Sequence, residues 1–526
     1  MKLARMLYIC VATLFIDARE TNKLSFSKMA KSKPKSKKKV QKSTKDKSQH
    51  LGKLLATGEL NEILGRGKAT QWFRQVDASS LIFFRIFFGL IMLWEMLRYL
   101  SKGWISEMFT RPAYNFNYWP FEFLSPLPGS GMTILFIGMA ILSICIMTGL
   151  FYRVATVAFF LSFSYMFLLE QTRYLNHFYL VVLLSFVMIF LPLNRSASLD
   201  VRWRKQKGSE TVPLWALWFA KLMVAVPYFF GGIAKITPDW LQGEPLQGWL
   251  QRSVASGKLG SFFEMPIVAY GMSYGGLLLD LLVVPALLFK RTRTIAFLLL
   301  LGFHLMNATI FNIGIFPWFM IVASTLYFSP SWPRKLFQNL GGKWPMRYPS
   351  REALLAPATL NSRHRLILGG IAVWMLIQVA VPLRFLFFPG NVNWTEEGHR
   401  FSWHMKLREK KGRINFIVKD KDSGMTQIVD PRTMILPWQY RKMSIHPYLI
   451  WQFADHLKDQ FAAQGQDVAV FADSKASLNG RAYQQLIDPG VDLTSVARPV
   501  FGSSPWITPL STPLSEKDEP RRRPPQ

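Results

Sequence analysis

Leu214–Ile236 reads LWALWFAKLMVAVPYFFGGIAKI, an apolar run long enough to cross a bilayer, with a lysine next to its last residue. An ammonium at that position is costly unless it is paired, hydrated or functional. Burial disfavours the charged form, so Lys235 is a candidate general base for a weakly acidic substrate. Snorkelling to the headgroups accounts for the same residue equally well from position alone. Gly231-Gly232, one turn earlier, weigh toward function, because small residues let a second helix or a flat ligand approach the backbone. Lys221 lies about 21 Å back along the helix axis, near the opposite end, and reads as a snorkelling lysine. Pro238-Asp239-Trp240 ends the run and supplies an aromatic anchor.

Further apolar runs begin near Leu81, Met132, Val154, Tyr174, Pro266, Thr294, Pro317 and Leu366. Each is roughly 15 to 23 residues long, which predicts about nine spans, two or three of them short. Loops carrying Arg153, Arg202/Arg204/Lys205/Lys207, Lys290/Arg291/Arg293 and Arg334/Lys335/Lys343/Arg347/Arg351 fall on the side of the basic amino terminus. The positive-inside bias therefore puts the amino terminus in the cytosol and, after an odd number of spans, the region beyond Pro389 outside it. The resulting fold class is an α-helical polytopic membrane domain at 76–389 followed by a small extracytoplasmic α+β domain at 390–510. In the latter, a hairpin over Arg413–Val429 turns at Asp422-Ser423-Gly424, a helix covers His446–Ala463 and a strand covers Val468–Ala472. Trp104–Pro128, with Tyr114, Phe116, Tyr118, Trp119 and Phe121, reads as an interfacial loop or helix at headgroup depth.

The flanks are polar. Residues 1–75 form a basic cytosolic region in which Lys31–Lys53 is too poor in apolar residues to fold, and 511–526 is a Pro- and Arg-rich tail. Met1–Ile16 reads either as a signal peptide or as a stray extension. Of the 526 residues, 63 are Lys or Arg and 32 are Asp or Glu, a net charge of +31. Because these cations sit between apolar runs and in one terminal block, they report topology and a lipid bilayer as partner rather than nucleic acid. Two cysteines, Cys10 and Cys145, both in apolar surroundings, exclude a disulfide framework and a CxxC metal site.

Polar residues inside apolar runs narrow the site. Asn176-His177 opens the fourth span at the depth of Lys235, while His304 and Asn307 lie in the seventh, where an imidazole and an amide need partners. Structural histidines and interhelical hydrogen bonds are the alternatives for both. Asp280, in the sixth span, is expected toward the inner half, paired with a base such as Arg85. No HExxH, Walker A, GxSxG, kinase or GxGxxG motif stands in a fitting context, so no metal and no nucleotide chemistry are expected.

Tyr228–Trp240 (YFFGGIAKITPDW), Asn176-His177 and Phe303–Pro317 (FHLMNATIFNIGIFP) resemble the vitamin K-dependent γ-glutamyl carboxylase family and its HTTM-type membrane domain. The similarity continues in Asn393-Trp394-Thr395, Ser402-Trp403, Ser477–Asp492 (SLNGRAYQQLIDPGVD) and Ser504-Pro505-Trp506, and spans roughly Ser80 to Leu510. The resemblance implies a membrane enzyme that oxidises reduced vitamin K (phylloquinone or menaquinone hydroquinone) with O2 to the epoxide. It couples this to adding CO2 at the γ-carbon of glutamate in a protein or peptide substrate. Lys235 matches the family's catalytic lysine, and His177 and His304 match histidines needed for activity. The cofactor would lie near Gly231, Gly232, Asn176 and Asn307, and the glutamate near Trp394, Thr395, Trp403 and His404. Arg481 and Asp488 would brace the second domain. His404 departs from the acidic residue expected there, the cysteine pair expected to link the two portions is missing, and the chain stops soon after Trp506. These departures put recognition of a propeptide, and carboxylation itself, in question. Two alternatives stay open: a quinone epoxidase only, or a non-catalytic membrane protein that binds quinone or lipid. A transporter fits least, since no inverted repeat is visible.

Overall fold

The computed structural model describes residues 69–203, 208–311, 313–340, 348–356, 360–498 and 502–514. The expectations for the basic amino-terminal region up to residue 68 and for the tail from 515 lie outside the described residues.

Ten helices matter for the membrane domain and its surface: α1 Ser79–Ser101, α2 Gly131–Thr148, α3 Tyr152–Leu168, α4 Asn176–Phe190, α5 Leu214–Ala234, α6 Leu246–Ala255, α7 Pro266–Leu288, α8 Arg293–Ile310, α9 Phe316–Ser324 and α10 Ser362–Leu383. Among the described residues six, α1, α2, α5, α7, α8 and α10, are long and apolar enough to cross a membrane. The other three apolar segments, α3, α4 and α9 with its 3-10 extension to Tyr327, are shorter. At 1.5 Å per residue the 15 residues of α4 rise about 22 Å, less than the ~30 Å hydrocarbon core. Six spans, not nine, therefore rest on length.

The α5 helix is the centre of the bundle. Within the protein 78% of its most apolar window is buried, against 11% for the region of α10, so α5 packs on protein while α10 turns apolar side chains such as Leu366 and Leu376 outward. It contacts α4, α7, α9 and α10. Gly232 sets the approach of α7, since a Cβ there would lie 2.6 Å from Leu281 Cδ2. The helix stops because Pro238 holds Thr237 extended (φ −128°, ψ 151°), and Thr237 then caps the short helix Pro238–Leu241.

Two expectations about charged residues are corrected. Arg85 does not meet Asp280: its guanidinium donates to the carbonyls of Leu193 (2.8 Å) and Ala197 (2.6 Å). The α7 helix starts beyond the end of α5 and runs back along it, so Gly232 faces Leu281, Lys235 faces Asp280 and Trp240 faces Ser273. A position deep in α7 thus lies level with the end of α5. Lys221 does not snorkel either; it is 3% exposed, its ammonium 5.1 Å from the Trp218 ring and 5.8 Å from that of Tyr327.

A second domain follows α10. Its antiparallel sheet has the order β4-β3-β5-β6, with β3 Lys410–Asp420, β4 Thr426–Val429, β5 Val468–Leu478 and β6 Gln484–Gln485; β1 Gln75–Asp77 and β2 Thr211–Pro213 form a separate pair in the membrane domain. Strands β3 and β5 pair from Lys410 with Leu478 to Asp420 with Val468, so β5 runs six residues past the strand expected from sequence. Period-two alternation turns Ile414, Phe416 and Val418 inward, against the helix α12 (Pro447–Ala462), which packs on β5; the short α11 (Pro437–Met443) precedes it. Full burial of each such side chain stabilises by about 1.5–3 kcal/mol. The Trp104–Pro128 loop does more than lie at an interface: Phe116 is fully buried in this second core, and the rings of Tyr114 and Phe116 lie 5.9 Å and 6.3 Å from that of Phe453, which rivets the two domains together.

Candidate active site

The cavity of about 680 Å³ lies between the α5/α7/α8 side of the bundle and the segment 396–408 that leads into β3. Its volume falls in the range of sites for organic ligands of moderate size. Lys235, at the C-cap of α5, projects into it and is 5% exposed. Its ammonium donates to Asp280 Oδ2 at 2.6 Å and to the Gly231 carbonyl at 3.1 Å, and lies 5.5 Å from the Trp240 ring. Trp240 is held in turn, its indole N–H donating to the Ser273 carbonyl at 2.9 Å. A Cβ on Gly231 would come within 3.3 Å of Asp280 Oδ2, so glycine there makes room for the ion pair. Gly232 faces Leu281 and serves helix packing.

The same cavity is lined by His304 and His177. His304, 1% exposed on α8, shares a 2.8 Å hydrogen bond between Nε2 and the Tyr228 hydroxyl, which also bonds Ser324 Oγ at 3.1 Å. Its Nδ1 is buried without a hydrogen-bond partner. His177 stands in the first turn of α4, its ring 5.9 Å from that of Phe316. Asn176 and Asn307 line the cavity too, and Asn176 Nδ2 donates to the His404 carbonyl at 3.3 Å. Trp240, Trp249, Phe303, Phe311 and Phe316 complete the walls. An aromatic-walled slot with an orphaned imidazole nitrogen and a lysine at its edge fits a flat ring that carries oxygens on both sides.

The roof is strained and polar. Glu396, Phe401, Trp403 and Lys406 all have φ between 52° and 66°, backbone that non-glycine residues seldom adopt. It is pinned to the bundle: the Tyr174 hydroxyl accepts from Phe401 N (2.8 Å), and Arg384 donates to the Arg400 carbonyl (2.6 Å). Glu396 is its hub, hydrogen-bonded by Arg408, with Lys410 Nζ and His399 Nδ1 each 3.7 Å away and His446 Nε2 at 3.8 Å. Burial, and after it the Arg408 charge, pushes His404 down to about 4. His399 is held well below its ordinary range by burial and then Arg408, and His446 by burial and then Arg400. These imidazoles are therefore neutral at neutral pH. Burial also lowers Lys410 to about 7, opposed by Glu396. The roof is a set of hydrogen-bonding groups, not a uniform positive field.

The structure brings Lys235, His177, His304, Asn176, Asn307 and His404 around one cavity. Trp394, Thr395 and Trp403 stand behind its wall: Trp394 donates its indole N–H to the Thr508 carbonyl (2.6 Å), and Trp403 is fully buried with its ring 5.1 Å from that of Tyr179. Sequence reasoning missed Tyr228, Trp240, Glu396, His399 and Arg408. It also missed the pairing of Asp280 with Lys235, having expected Arg85 as the partner. Among the described residues no group of three or more His, Cys, Asp or Glu side chains is arranged to hold a metal ion.

Residues 73–332 match the family model described as the HTTM domain, and residues 363–513 match that of the vitamin K-dependent gamma-carboxylase lumenal domain. No solved structure matches the chain. The cavity draws Lys235, Asp280, His177 and His304 from the first matched region and Glu396, His399, His404 and Arg408 from the second. With both regions present in one chain and facing one cavity, the protein belongs to the vitamin K-dependent γ-glutamyl carboxylase family.

Proposed function

We propose that the protein is a membrane enzyme that oxidises a naphthohydroquinone with O2 to the epoxide and couples this to CO2 addition at the γ-carbon of a glutamate in a protein or peptide. The amino-terminal region would be cytosolic and the α+β domain extracytoplasmic. One observation carries the reading: a lysine and an aspartate form a secluded pair, 2.6 Å apart, at the edge of an aromatic slot.

In this reading the neutral form of Lys235, in protonation equilibrium with the ammonium that pairs with Asp280, takes the proton of a hydroquinone hydroxyl. The ammonium so formed has a carboxylate at 2.6 Å and an indole face at 5.5 Å, both of which stabilise a cation and neither of which does as much for an amine. His304 offers its free Nδ1 to a ring oxygen while Tyr228 fixes its orientation through Nε2. A bound hydroquinone supplies the electrons that reduce O2 and, with them, a base stronger than any side chain. The aromatic side chains around Lys235 would limit water at that end of the cavity, so that neither this base nor a glutamyl carbanion is quenched. His404, next to His399 at the roof, faces the place where the glutamate would enter.

The test is a purified preparation in lipid, supplied with vitamin K hydroquinone, labelled CO2 and a glutamyl peptide, with epoxide and fixed label measured separately. Both products are expected. Epoxide without label would leave only the oxidation, and neither product, with quinone still bound, would leave a binding protein.

A further inference from the structure

The short helix that follows Lys235 is gripped from the other domain. Arg481, just after β5, donates from Nη1 to Asp239 Oδ2 and from Nη2 to Asp239 Oδ1, both at 2.7 Å, and Asn479 Nδ2 adds a third bond to Oδ2 at 2.6 Å. The two charged side chains are 7% and 8% exposed. Arg481 was expected to brace its own domain, and it does so only with its remaining donors, from Nε to the Thr512 carbonyl and from Nη1 to that of Leu478, both 3.1 Å. The guanidinium is thus fixed on one side by the sheet and presents its planar fork to a residue four positions after Lys235. Next to Asp239 is Trp240, whose ring faces the Lys235 ammonium.

We infer that Arg481 is a positioning residue: Ser273 holds the Trp240 indole from the membrane domain, and Arg481, through Asp239, fixes the backbone that carries it, so docking of the α+β domain contributes to the geometry in which Trp240 faces Lys235. A buried ion pair is weak evidence for stability, because desolvation offsets much of the attraction. Its two-point geometry does specify direction, and the direction here leads to the base. The catalytic consequence rests on the proposed role of Lys235, whereas the mechanical link to Lys235 does not.

The experiment uses the full chain in lipid nanodiscs with Arg481→Gln, Arg481→Lys and Asp239→Asn. Asp492→Asn is the control, since it loosens the same domain at the turn where Asp492 accepts from Val470 N and Thr494 N. The first readout is the rate of reductive methylation of Lys235 at fixed pH, followed by mass spectrometry, which needs no activity. Arg481→Gln and Asp239→Asn should each raise it by about threefold or more, Arg481→Lys by less, and Asp492→Asn not at all. The second is epoxide formation: kcat should fall about tenfold in Arg481→Gln with the KM for hydroquinone little changed, and Arg481→Lys should restore part of it. Wild-type labelling in both Arg481→Gln and Asp239→Asn overturns the proposal. So does an equal effect from Asp492→Asn. Should Arg481→Gln not fold, Arg481→Lys decides on the same two readouts. A wild type that makes no epoxide defeats the enzymatic reading alone, and labelling still settles the link.

Discussion

Asp280→Asn keeps the shape of the site and removes one charge from it. At 2.6 Å the pair is worth ~6 kcal/mol by Coulomb's law with an effective dielectric of about 20. Asparagine still offers an oxygen to the lysine, so part of that survives, and the loss measured when one partner of a buried pair is removed is about 3–5 kcal/mol. If Asp280 stabilises the ammonium that forms during proton transfer, this loss falls on the transition state and product of that step rather than on quinone binding. At about 1.4 kcal/mol per tenfold, kcat for epoxide formation should drop roughly a hundred- to a few-thousandfold, with the KM for hydroquinone changing far less. The assay is epoxide yield against time at saturating hydroquinone, in lipid, for Asp280→Asn, Lys235→Ala and the double variant. Residues that act as a unit are not additive, so where higher pH or an added amine restores part of the Lys235→Ala rate, the double variant should be no slower than Lys235→Ala. A kcat for Asp280→Asn close to wild type, or a double variant that multiplies the two losses, would refute the reasoning.

Three other outcomes follow from the geometry. Lys235→Ala should abolish epoxide formation near neutral pH while quinone still binds, with partial recovery at higher pH or with an added small amine; unchanged turnover removes Lys235 from the reaction. Tyr228→Phe takes the only described partner from His304 Nε2 and leaves it buried, so stability should fall by about 1–3 kcal/mol and epoxide formation with it; a melting temperature and rate equal to wild type would show that Tyr228 does not orient the imidazole. Glu170, after the end of α3, is pushed up to about 7 by burial, which outweighs its hydrogen bonds from Thr172 and Gln439. Its folded value exceeds its unfolded one, so its contribution is complete below about 4.5 and is lost as pH rises through about 7, a difference of about 3 kcal/mol. Thermal melts should show wild type losing more stability than Glu170→Gln between pH 5 and 8, and parallel curves would contradict the assignment.

The membrane domain was legible because long apolar runs with basic loops have few other physical solutions, and the hairpin was legible because Asp422-Ser423-Gly424 interrupts an alternating pattern. Gly424 does adopt the positive φ (71°) that the turn requires. The individual partners were not legible. Whether Asp280 meets Arg85 or Lys235 depends on how far α7 overshoots the end of α5, and hydrophobicity carries no signal for that register. Lys221 misled for a related reason: a lysine near a helix end can reach the headgroups or fold back onto rings, and Trp218 lies on its own helix while Tyr327 comes from a segment far along the chain.

The deepest limit on the sequence reading is that the cavity belongs to two domains. Trp394 and Trp403 stand out in a sequence because tryptophan is large, yet size is what sends both into the packed cores, where each is fully buried and neither lines the cavity. The groups that face the space are His399, His404, Arg408 and Glu396, held there by left-handed backbone and by hydrogen bonds of this segment with Tyr174, Asn176 and Arg384. None of those bonds is local in sequence, so no window of the chain could reveal them. The same separation gives the site a property that a site built on one helix bundle lacks. Lys235 is fastened on one side by Asp280 within the membrane domain and on the other by Trp240, whose neighbour Asp239 is gripped from the turn after β5. Movement of the second domain at Asn479 and Arg481 is therefore applied to a residue only four positions after the base.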